Sequence, residues 1–246
     1  MSDGLAGLRR EVAVGCRVMA HRGLVENILG HISVRLDGER ALVRCRGPEE
    51  AGLGFTTPDD VRVVDLDSGE VIDDPAGDYA APSELPIHTS VLAAHRDVDC
   101  VVHAHPPDVV VASLAGFAFE PIFGAYDIPA AHLAAAGIPV HPRSVLIRTD
   151  DLAAEMVASL GNAVALVLKG HGVVTIGADV AEAVLRALQL DTLARIHLRV
   201  CTAGTIPEAI PSTDLAELPD LGGAFNRETL WRHHQVALEH DGHGLN

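Results

Sequence analysis

The run SELPIHTSVLAAHRDVDCVVHAHPP, residues 83–107, predicts a helix followed by a strand that ends in two histidines and two prolines. Ser83 suits the N-cap position of the helix, and the apolar residues at 98–104 favour an extended strand. His103 and His105 lie two residues apart in this extended stretch, and side chains alternate across a strand. Both imidazoles therefore point to one face of the sheet that the strand joins.

Two further residues indicate a divalent-metal site on that face. Glu84, at the start of the helix, supplies a carboxylate, and His171 ends another apolar strand between Gly170 and Gly172, which allow a close backbone approach. Three imidazoles and one carboxylate with an open coordination position are typical of catalytic metal sites. The alternative is a set of buried, hydrogen-bonded structural histidines, and the four residues taken together favour the metal site.

Length and charge restrict the domain count and the class of partner. The 246 residues show no linker, so we expect one domain over residues 1–246, with residues 207–246 as a C-terminal extension. The formal net charge is −16, and such an acidic surface repels nucleic acid and anionic membranes. We therefore expect neither nucleic acid nor membrane as a partner. A small anionic substrate, the partner we expect, needs a locally positive pocket, which a bound dication can supply.

Cysteine usage and the N-terminus predict a cytoplasmic location. The four cysteines form no CxxC pair and are widely spaced, which favours reduced, buried thiols over disulfides. The first residues, MSDGLAGLRREVAVG, are charged and lack the apolar run of a signal peptide. No apolar stretch is long enough to span a membrane as a helix.

Hydrophobic periodicity predicts an α/β fold with three layers, αβα, around a mainly antiparallel or mixed sheet. Residues 31–36 and 40–45 alternate like strands around a turn at 37–38, which is a hairpin signal. No glycine-rich phosphate loop follows a strand, so nucleotide binding is disfavoured. The other expected helices are 5–22, 107–114, 150–160, 179–203 and 224–240. The other expected strands are a hairpin at 61–72, short strands at 138–141 and 144–148 in an otherwise irregular region 117–147, and one strand on each side of His171.

Three segments resemble the class II aldolase/adducin family: GLVENILGHISVRL, SELPIHTSVLAAHRDVDCVVHAHPPDVVVASL and ALVLKGHGVVTIGADVAEAVLRALQLDTLARIHL. The resemblance covers about residues 8–203, and the combination of Ser-Glu, His-x-His-Pro and His-Gly at these separations carries it. It implies a central, mainly antiparallel sheet with helices on both faces. It also implies a homotetramer with its sites at subunit interfaces.

The resemblance further implies a role for each residue of the predicted metal site. His103, His105 and His171 would bind a divalent cation, usually zinc, with manganese, cobalt and iron as alternatives. Glu84 would touch the metal at rest and then act as a general acid/base. This agrees with the chemistry, because breaking a C–C bond beside a carbonyl leaves a carbanion, and a Lewis acid stabilises the resulting negative charge on oxygen.

The phosphate cradle of the family's sugar-phosphate aldolases is only partly matched. His31 stands where an asparagine is expected, and a proline precedes Ser83 in place of a second serine. The loop that would supply Thr-Gly reads GFTTPDD, so Asp59 and Asp60 follow Thr57 closely. Two carboxylates beside a dianionic phosphate are unfavourable, so a phosphorylated sugar is disfavoured as substrate.

Other members of the family resemble decarboxylases of hydroxylated aromatic carboxylates, whose reaction also leaves a carbanion. The C-terminal segment LPDLGGAFNRETLWRHHQVALE resembles that branch. Arg44 and Arg46 precede the variable loop, where either can meet a carboxylate or remain a solvated surface arginine. The predicted substrate contacts are His31, Ser83, Arg46 and Thr57.

Three other residues have two interpretations each. His88 lies one helical turn after Glu84, where it either orients that carboxylate or is a partly buried structural histidine. Tyr126, in FGAYDIP, is either a catalytic proton donor or a packing residue. Lys169 either contacts an anion or faces solvent.

The sequence thus predicts a metal-dependent carbon–carbon lyase. Decarboxylation of a hydroxylated carboxylate, such as a dihydroxy-aromatic acid, is the preferred reaction, and aldol cleavage of a hydroxy-carbonyl compound is the alternative. Dehydration or epimerisation of a sugar phosphate is a weaker third interpretation. A non-catalytic, adducin-like interaction module is the alternative from another class, although such a module has no need of the four metal-binding residues.

Overall fold

A seven-stranded mixed sheet forms the centre of the molecule in the computed structural model, which describes residues 2–245. The strands are β1 (His31–Arg35), β2 (Arg40–Arg44), β3 (Val61–Asp65), β4 (Cys100–Ala104), β5 (Val140–His141), β6 (Ala165–Leu168) and β7 (Gly172–Gly177). Their order is β3-β2-β1-β4-β7-β6-β5. Neighbouring strands are antiparallel except β5 and β6, which are parallel.

Helices cover both faces of this sheet. They are α1 (Ser2–His21), α2 (Leu85–Ala94), α3 (Pro107–Leu114), α4 (Ile128–Ala135), α5 (Asp150–Leu160), α6 (Val180–Thr202), α7 (Ser212–Glu217), α8 (Gly222–Ala224) and α9 (Arg232–His240). A π-helical segment, Phe225–Trp231, joins α8 to α9, and two 3₁₀ turns, Leu53–Phe55 and Pro58–Asp60, lie in the loop before β3. No helix among the described residues is long and apolar enough to cross a membrane.

Two hydrophobic cores, one on each face of the sheet, confirm the three-layer prediction. The first core packs α1, α3, α4, α6 and the C-terminal helices against one face, and it includes Val102 and Ala104 of β4. The second core packs α2 and α5 against the other face and includes Val101. Because side chains alternate along β4, His103 shares the face of Val101 and points toward the α2 layer.

The register of the sheet brings three strands together at His103. His31 of β1 is directly opposite His103 on one side, and Val174 of β7 is opposite it on the other. The end of β4 therefore lies between the start of β1 and the turn that precedes β7. This is why residues distant in sequence meet at this edge of the sheet.

The start of α2 differs from the prediction in its cap residue. Glu84, rather than Ser83, occupies the N-cap position, and α2 begins at Leu85. Ser83 is exposed and lies in the preceding turn. The Glu84 side chain makes no capping hydrogen bond, because it is directed away from the helix.

The region 117–147 contains more helix and less strand than predicted. Its Ala-rich segment IPAAHLAA forms α4, which the Asp127 side chain caps by accepting the N–H of Ala130. The predicted strand at 138–141 is present as β5, whereas no strand forms at 144–148. In that second segment the N–H of Ile147 donates instead to the Glu84 carboxylate.

Two other local predictions need correction. The hairpin at 61–72 is reduced to β3 and one isolated bridge, between Val64 and Val71. The Asp73 carboxylate accepts the N–H of Val63, so a side chain replaces the next ladder bond at this edge. The segment 207–221, in which no helix was expected, contains α7, and the later residues Trp231 and Leu238 join the first core.

Candidate metal centre

Glu84, His103, His105 and His171 converge on one point at the edge of the sheet. One side-chain N or O atom from each lies within 4.8 Å of the corresponding atoms of the others. The three imidazole rings are mutually close, with centroids 4.7, 4.9 and 4.9 Å apart. The four residues come from the start of α2, from β4 and the residue after it, and from the β6–β7 turn.

His103 is held in one orientation by the backbone of the neighbouring strand. Its Nδ1 is 2.9 Å from the carbonyl oxygen of Val173. A carbonyl only accepts hydrogen bonds, so Nδ1 carries the hydrogen and Nε2 presents a lone pair to the cluster. Such a hydrogen bond to the second ring nitrogen is the usual support for a metal-binding histidine.

The two carboxylate oxygens of Glu84 have different neighbours: one accepts a backbone hydrogen bond, and the other faces two of the histidines. Its Oε1 accepts the N–H of Ile147 at 2.8 Å, while Oε2 lies 3.4 Å from Nε2 of His103 and 3.5 Å from Nε2 of His171. Burial by itself raises the pKa of Glu84, but the adjacent imidazoles of His103 and His171 outweigh burial and hold the pKa well below its usual range. The carboxylate is therefore anionic in this arrangement.

His171 reaches the cluster because glycines flank it. Gly170 has a φ of +64°, a left-handed conformation that favours glycine. A Cβ on Gly172 would overlap the carbonyl oxygen of Ala104, so only glycine allows β7 to begin this close to β4. The sequence-based expectation of a close backbone approach at these two glycines is confirmed.

The facing atoms of the cluster fit a bound cation. The Nε2 atoms of His103 and His105 are 2.8 Å apart, and the carboxylate oxygen of Glu84 faces the same space. Lone pairs and a carboxylate that face each other repel unless a cation lies among them. Ligands at about 2.1 Å from a tetrahedral ion lie about 3.4 Å from one another, which is close to the Glu84 distances.

The electrostatics of the cluster also suit a metal, and one side of it is open. Burial, together with the neighbouring His103 and His171, lowers the pKa of His105 to about 3, so its imidazole is neutral at neutral pH, as a metal ligand must be. His103 is fully buried, whereas His105 and His171 are partly exposed. A substrate can therefore approach from the side of His105 and His171.

A buried hydrogen-bonded chain adjoins the centre, and the sequence did not reveal it. Nε2 of His88 lies 2.6 Å from Nδ1 of His31, and Nδ1 of His88 lies 2.6 Å from Oγ of Ser33. His88 is fully buried, and the hydrogen bonds of its ring go to β1 rather than to Glu84. Alternation along β1 places His31 and Ser33 on one face, but only the docking of α2 shows that His88 joins them.

The two arginines occupy different environments. Arg44 is buried, with 4% exposure, and its guanidinium is 2.5 Å from Glu50, so it is not a solvated surface arginine. Arg46 is partly exposed, and its backbone pairs with Ala80 in the segment that leads to Glu84. Its positive charge helps to lower the pKa of Glu50, the partner of Arg44.

Three other predicted site residues lie outside the cluster. Thr57 caps a 3₁₀ turn, and its hydroxyl and N–H both bind the Asp60 carboxylate. Tyr126 is 65% exposed and packs its ring against Phe123. Lys169 is exposed.

Comparison with known proteins agrees with the geometry. The family model described as Class II Aldolase and Adducin N-terminal domain matches residues 10–198. The chain is 52% identical over 229 residues to a 3,4-dihydroxyphthalate decarboxylase of Arthrobacter keyseri, covering 93% of this chain and 92% of that one. It is 50% identical over 233 residues to a 3,4-dihydroxyphthalate decarboxylase of Terrabacter sp. (strain DBF63), covering 95% and 98%.

A solved structure supports the fold. The aldolase II superfamily protein from Pseudomonas syringae superposes with a TM-score of 0.81 at 22% identity, covering 97% of this chain and 94% of that one.

Proposed function

Because this chain belongs to the class II aldolase and adducin family, we propose that it is a metal-dependent decarboxylase of 3,4-dihydroxyphthalate or a closely related dihydroxy-aromatic dicarboxylate. The observation that carries the proposal is the convergence of Glu84, His103, His105 and His171 on one point. The substrate class is taken from relatives that share half of their residues with this chain over nearly its whole length.

The chain is an enzyme of the lyase class, and its family and its named decarboxylase relatives argue against the non-catalytic module. Aldol cleavage remains the alternative reaction, because it needs the same stabilisation of a carbanion. The three 3,4-dihydroxyphthalate decarboxylases match at 43–52% identity, whereas an aldolase of Rhodospirillum rubrum matches at 26%. This difference favours decarboxylation.

Zinc is the metal we propose for the centre. Three imidazoles and a carboxylate are the donor set that zinc prefers, although manganese, cobalt and iron also bind such ligands. His103, His105 and His171 would hold the ion, with Glu84 as the fourth ligand at rest. When bound, a divalent ion supplies Lewis-acid stabilisation for negative charge that develops on a substrate oxygen next to the reacting carbon.

Glu84 is the residue that we assign to proton transfer. In the decarboxylation, the C–C bond to a carboxylate next to a ring hydroxyl breaks, CO₂ leaves, and the electron pair stays on the ring carbon. That carbon must then gain a proton, and Oε2 of Glu84 lies 3.5 Å from Nε2 of His171, which is partly exposed. Its low pKa keeps Glu84 a carboxylate at rest. Separation from the histidines in a closed, dry site would raise that pKa, so that Glu84 would take the proton of the neighbouring ring hydroxyl and pass it to the ring carbon after CO₂ leaves.

The anionic substrate needs positive or donor groups beside the centre. Arg46 is a suitable anchor for the carboxylate that is retained, because its guanidinium is partly exposed and its backbone adjoins the Glu84 segment. His31 lies directly beside His103 and would contact the reacting end. Exposed Ser83 would supply a hydroxyl, whereas a role for Thr57 would require release of its hydroxyl from Asp60.

We further propose a homotetramer with interfacial sites, in the cytoplasm. The exposed phenol of Tyr126 is too poorly packed for a core residue and is available to the site of a neighbouring subunit, where it would donate a proton. The four cysteines are free thiols, which suits a reducing compartment. Light scattering of the purified protein should give the mass of four chains, and a monomer would contradict the interfacial site.

Parallel steady-state assays test the proposed reaction. Zinc-loaded protein should release CO₂ from 3,4-dihydroxyphthalate and should not form an aldehyde from a phosphorylated hydroxy-ketone. His103→Ala, which removes a ligand, should abolish the reaction, while His240→Ala, on the surface, should not change it. Aldehyde formation without CO₂ release would replace decarboxylation with aldol cleavage.

A further inference from the structure

The buried chain from Ser33 through His88 to His31 has only one arrangement of hydrogens that satisfies its members. Ser33 and His88 are fully buried, and His31 retains 6% exposure. Both contacts in the chain are 2.6 Å long, and each involves groups that can donate or accept. Which atom donates in each of these two hydrogen bonds is therefore fixed by the terminal residue that has no further partner.

Ser33 is that terminal residue. Its hydroxyl has no partner among the described residues other than Nδ1 of His88. A buried donor without a partner is more costly than a spare lone pair, so the hydroxyl donates to Nδ1. His88 then carries its hydrogen on Nε2 and donates it to Nδ1 of His31.

The far end of the chain is consequently a donor. Since Nδ1 of His31 accepts from His88, the hydrogen of a neutral His31 is on Nε2. A positively charged His88 would give the same result, because it also donates to Nδ1 of His31. Within residues 2–245, Nε2 of His31 has no hydrogen-bond partner and is not among the sealed polar atoms.

We propose that Ser33 and His88 are positioning residues that fix the tautomer of His31, so that its Nε2–H donates a hydrogen bond to an oxygen of the substrate beside the metal centre. His31 suits this task because it is opposite His103 in the sheet, with ring centroids 5.0 Å apart. The ligand class is an acceptor-only oxygen anion, a carboxylate or a phenolate. This selectivity rests on the proposed function, whereas the hydrogen arrangement does not.

A neutral donor at this position also discriminates among substrates. A fixed Nε2–H donates a strong hydrogen bond to a carboxylate or phenolate oxygen. A neutral hydroxyl of a substrate can also accept from it, but that hydrogen bond is weaker. A substrate without an anionic oxygen at this point would leave the Nε2–H without its strongest partner. The hydrogen bonds from Ser33 through His88 to His31 therefore favour the binding of anionic aromatic acids over that of neutral hydroxy-ketones.

Neutron diffraction of perdeuterated, metal-loaded crystals tests the arrangement without any turnover. We expect deuterium on Nε2 of His88 and on Nε2 of His31, and the Ser33 hydroxyl directed at His88. Deuterium on Nδ1 of a neutral His31, or a Ser33 hydroxyl directed elsewhere, would overturn the proposal even if the protein proves to be a decarboxylase. The expected arrangement in a protein that releases no CO₂ would instead refute the proposed function and leave the hydrogen-bonded chain intact.

Substitution of the terminal residue, Ser33, tests the consequence for the substrate. Ser33→Ala removes the donor that fixes the tautomer, so kcat/KM for the dicarboxylate should fall about tenfold to a hundredfold, with metal content unchanged. Ser159→Ala is the matched control. The Ser159 hydroxyl also pairs with a histidine, at 2.8 Å from Nδ1 of His141, but this pair lies outside the metal centre, so the substitution should leave kcat/KM unchanged. Equal effects of the two substitutions, or none from Ser33→Ala, would contradict the positioning role.

A pair of His31 variants separates donation from packing. His31→Gln keeps an N–H donor near the position of Nε2, whereas His31→Leu fills similar space without a donor. We expect His31→Gln to retain at least about a tenth of kcat/KM and His31→Leu to lose about a hundredfold or more, with both proteins binding metal. Equal losses in the two variants would show that His31 acts only through packing.

Discussion

At the scale of single residues, the centre is held in place by atoms that do not face it. Nδ1 of His103 donates to Val173, and Oε1 of Glu84 accepts from Ile147. Each of these two ligands therefore has one atom fixed by the backbone and another free to bind. This arrangement positions the ligands before the metal arrives, so less ordering is required on binding.

Glu84→Gln should separate metal binding from catalysis. The amide keeps the size of the side chain and an oxygen for the Ile147 N–H, but it cannot supply a proton. We expect metal to be retained on three histidines and kcat to fall by about 10²–10⁴-fold. Metal content and CO₂ release, measured on the same sample, check this.

The control for that variant is Glu39→Gln, which changes an exposed carboxylate in the β1–β2 turn and should leave both quantities unchanged. Turnover near the wild-type rate in Glu84→Gln would remove Glu84 from the acid/base role.

His88 should make the protein less stable in mild acid. Burial, and then the nearby His103, lowers the pKa of His88 to about 3, against about 6.5 in the unfolded chain. The unfolded state therefore binds the proton more readily between these values, so the stability that is complete above pH 6.5 is lost progressively as the pH falls toward 3. From pH 7 to pH 5 this single group should cost about 2 kcal/mol.

Urea unfolding of metal-loaded protein at the two pH values measures that loss. His88→Asn should show a pH dependence smaller by about 2 kcal/mol than the wild type. His240→Asn alters a histidine whose side chain is 85% exposed, so its pH dependence should match the wild type. An unchanged pH dependence in His88→Asn would mean that the buried ring is not held neutral.

The sequence was sufficient to find the four converging residues, but not the hydrogen bonds of the residues around them. His103 and His105 share a strand face by spacing alone, and Gly170 and Gly172 mark the turn around His171. The partner of His88 could not be predicted, because hydrogen bonds between a helix and a strand depend on how the helix docks. Spacing along one helix indicated only Glu84 as a neighbour.

At the scale of elements, the close approach of β7 to β4 sets the geometry of the centre. Gly172 permits the contact with the carbonyl of Ala104, and β4 in turn presents His103 between β1 and β7. The spacing of His105 and His171 therefore depends on one residue without a side chain.

Gly172→Ala should damage both stability and metal binding. The added Cβ overlaps the backbone of Ala104, so β7 must move away from β4. We expect a loss of about 1–3 kcal/mol in the free energy of unfolding and a weaker affinity for metal. Urea unfolding and competition with a metal indicator measure the two effects.

Gly38→Ala is the matched control, since Gly38 lies in a turn with open space around its Cβ position. It should leave metal affinity unchanged. A Gly172→Ala protein with wild-type affinity would show that the spacing of the ligands does not depend on this contact.

Element prediction succeeded where periodicity was strong and failed where side chains replaced backbone pairing. The hairpin of β1 and β2 and the long helix α6 were predicted closely, because their patterns of apolar residues are clear. The helix α4 was missed because its alanines and its one proline show no amphipathic period. The second hairpin was overestimated because the Asp73 carboxylate takes the place of a strand partner.

At the scale of the whole molecule, the three-layer class followed from the alternation of elements, but the sheet order did not. The order β3-β2-β1-β4-β7-β6-β5 places β4 beside β1, although 64 residues separate Arg35 from Cys100. Contacts at that sequence distance leave no local pattern. The same long-range pairing brings His31 beside His103, and it is therefore the source of the site features that sequence reasoning could not supply.

Removal of metal should lower the stability of the whole protein. An ion that binds only the folded chain stabilises it by about 2.7 kcal/mol at a hundredfold excess over its dissociation constant. For a chain of this size that corresponds to a fall in Tm of about 5–10 °C after chelation. Scanning calorimetry before and after chelation measures the shift.

His103→Ala serves as the control for chelation, because a protein without the centre should show no change in Tm. A wild-type Tm that does not respond to chelator would mean that metal binding at this site does not stabilise the folded chain.

The most direct test of the central claim is a metal titration of CO₂ release by the chelated protein. We expect the initial rate of CO₂ release from 3,4-dihydroxyphthalate to rise linearly with added zinc and to reach a plateau at one equivalent per chain. We also expect Glu84→Gln to bind the same equivalent without any rise in rate. A rate that is already full before zinc is added, or that stays at zero when one equivalent is bound, would contradict the assignment of this centre as the catalytic site of a decarboxylase.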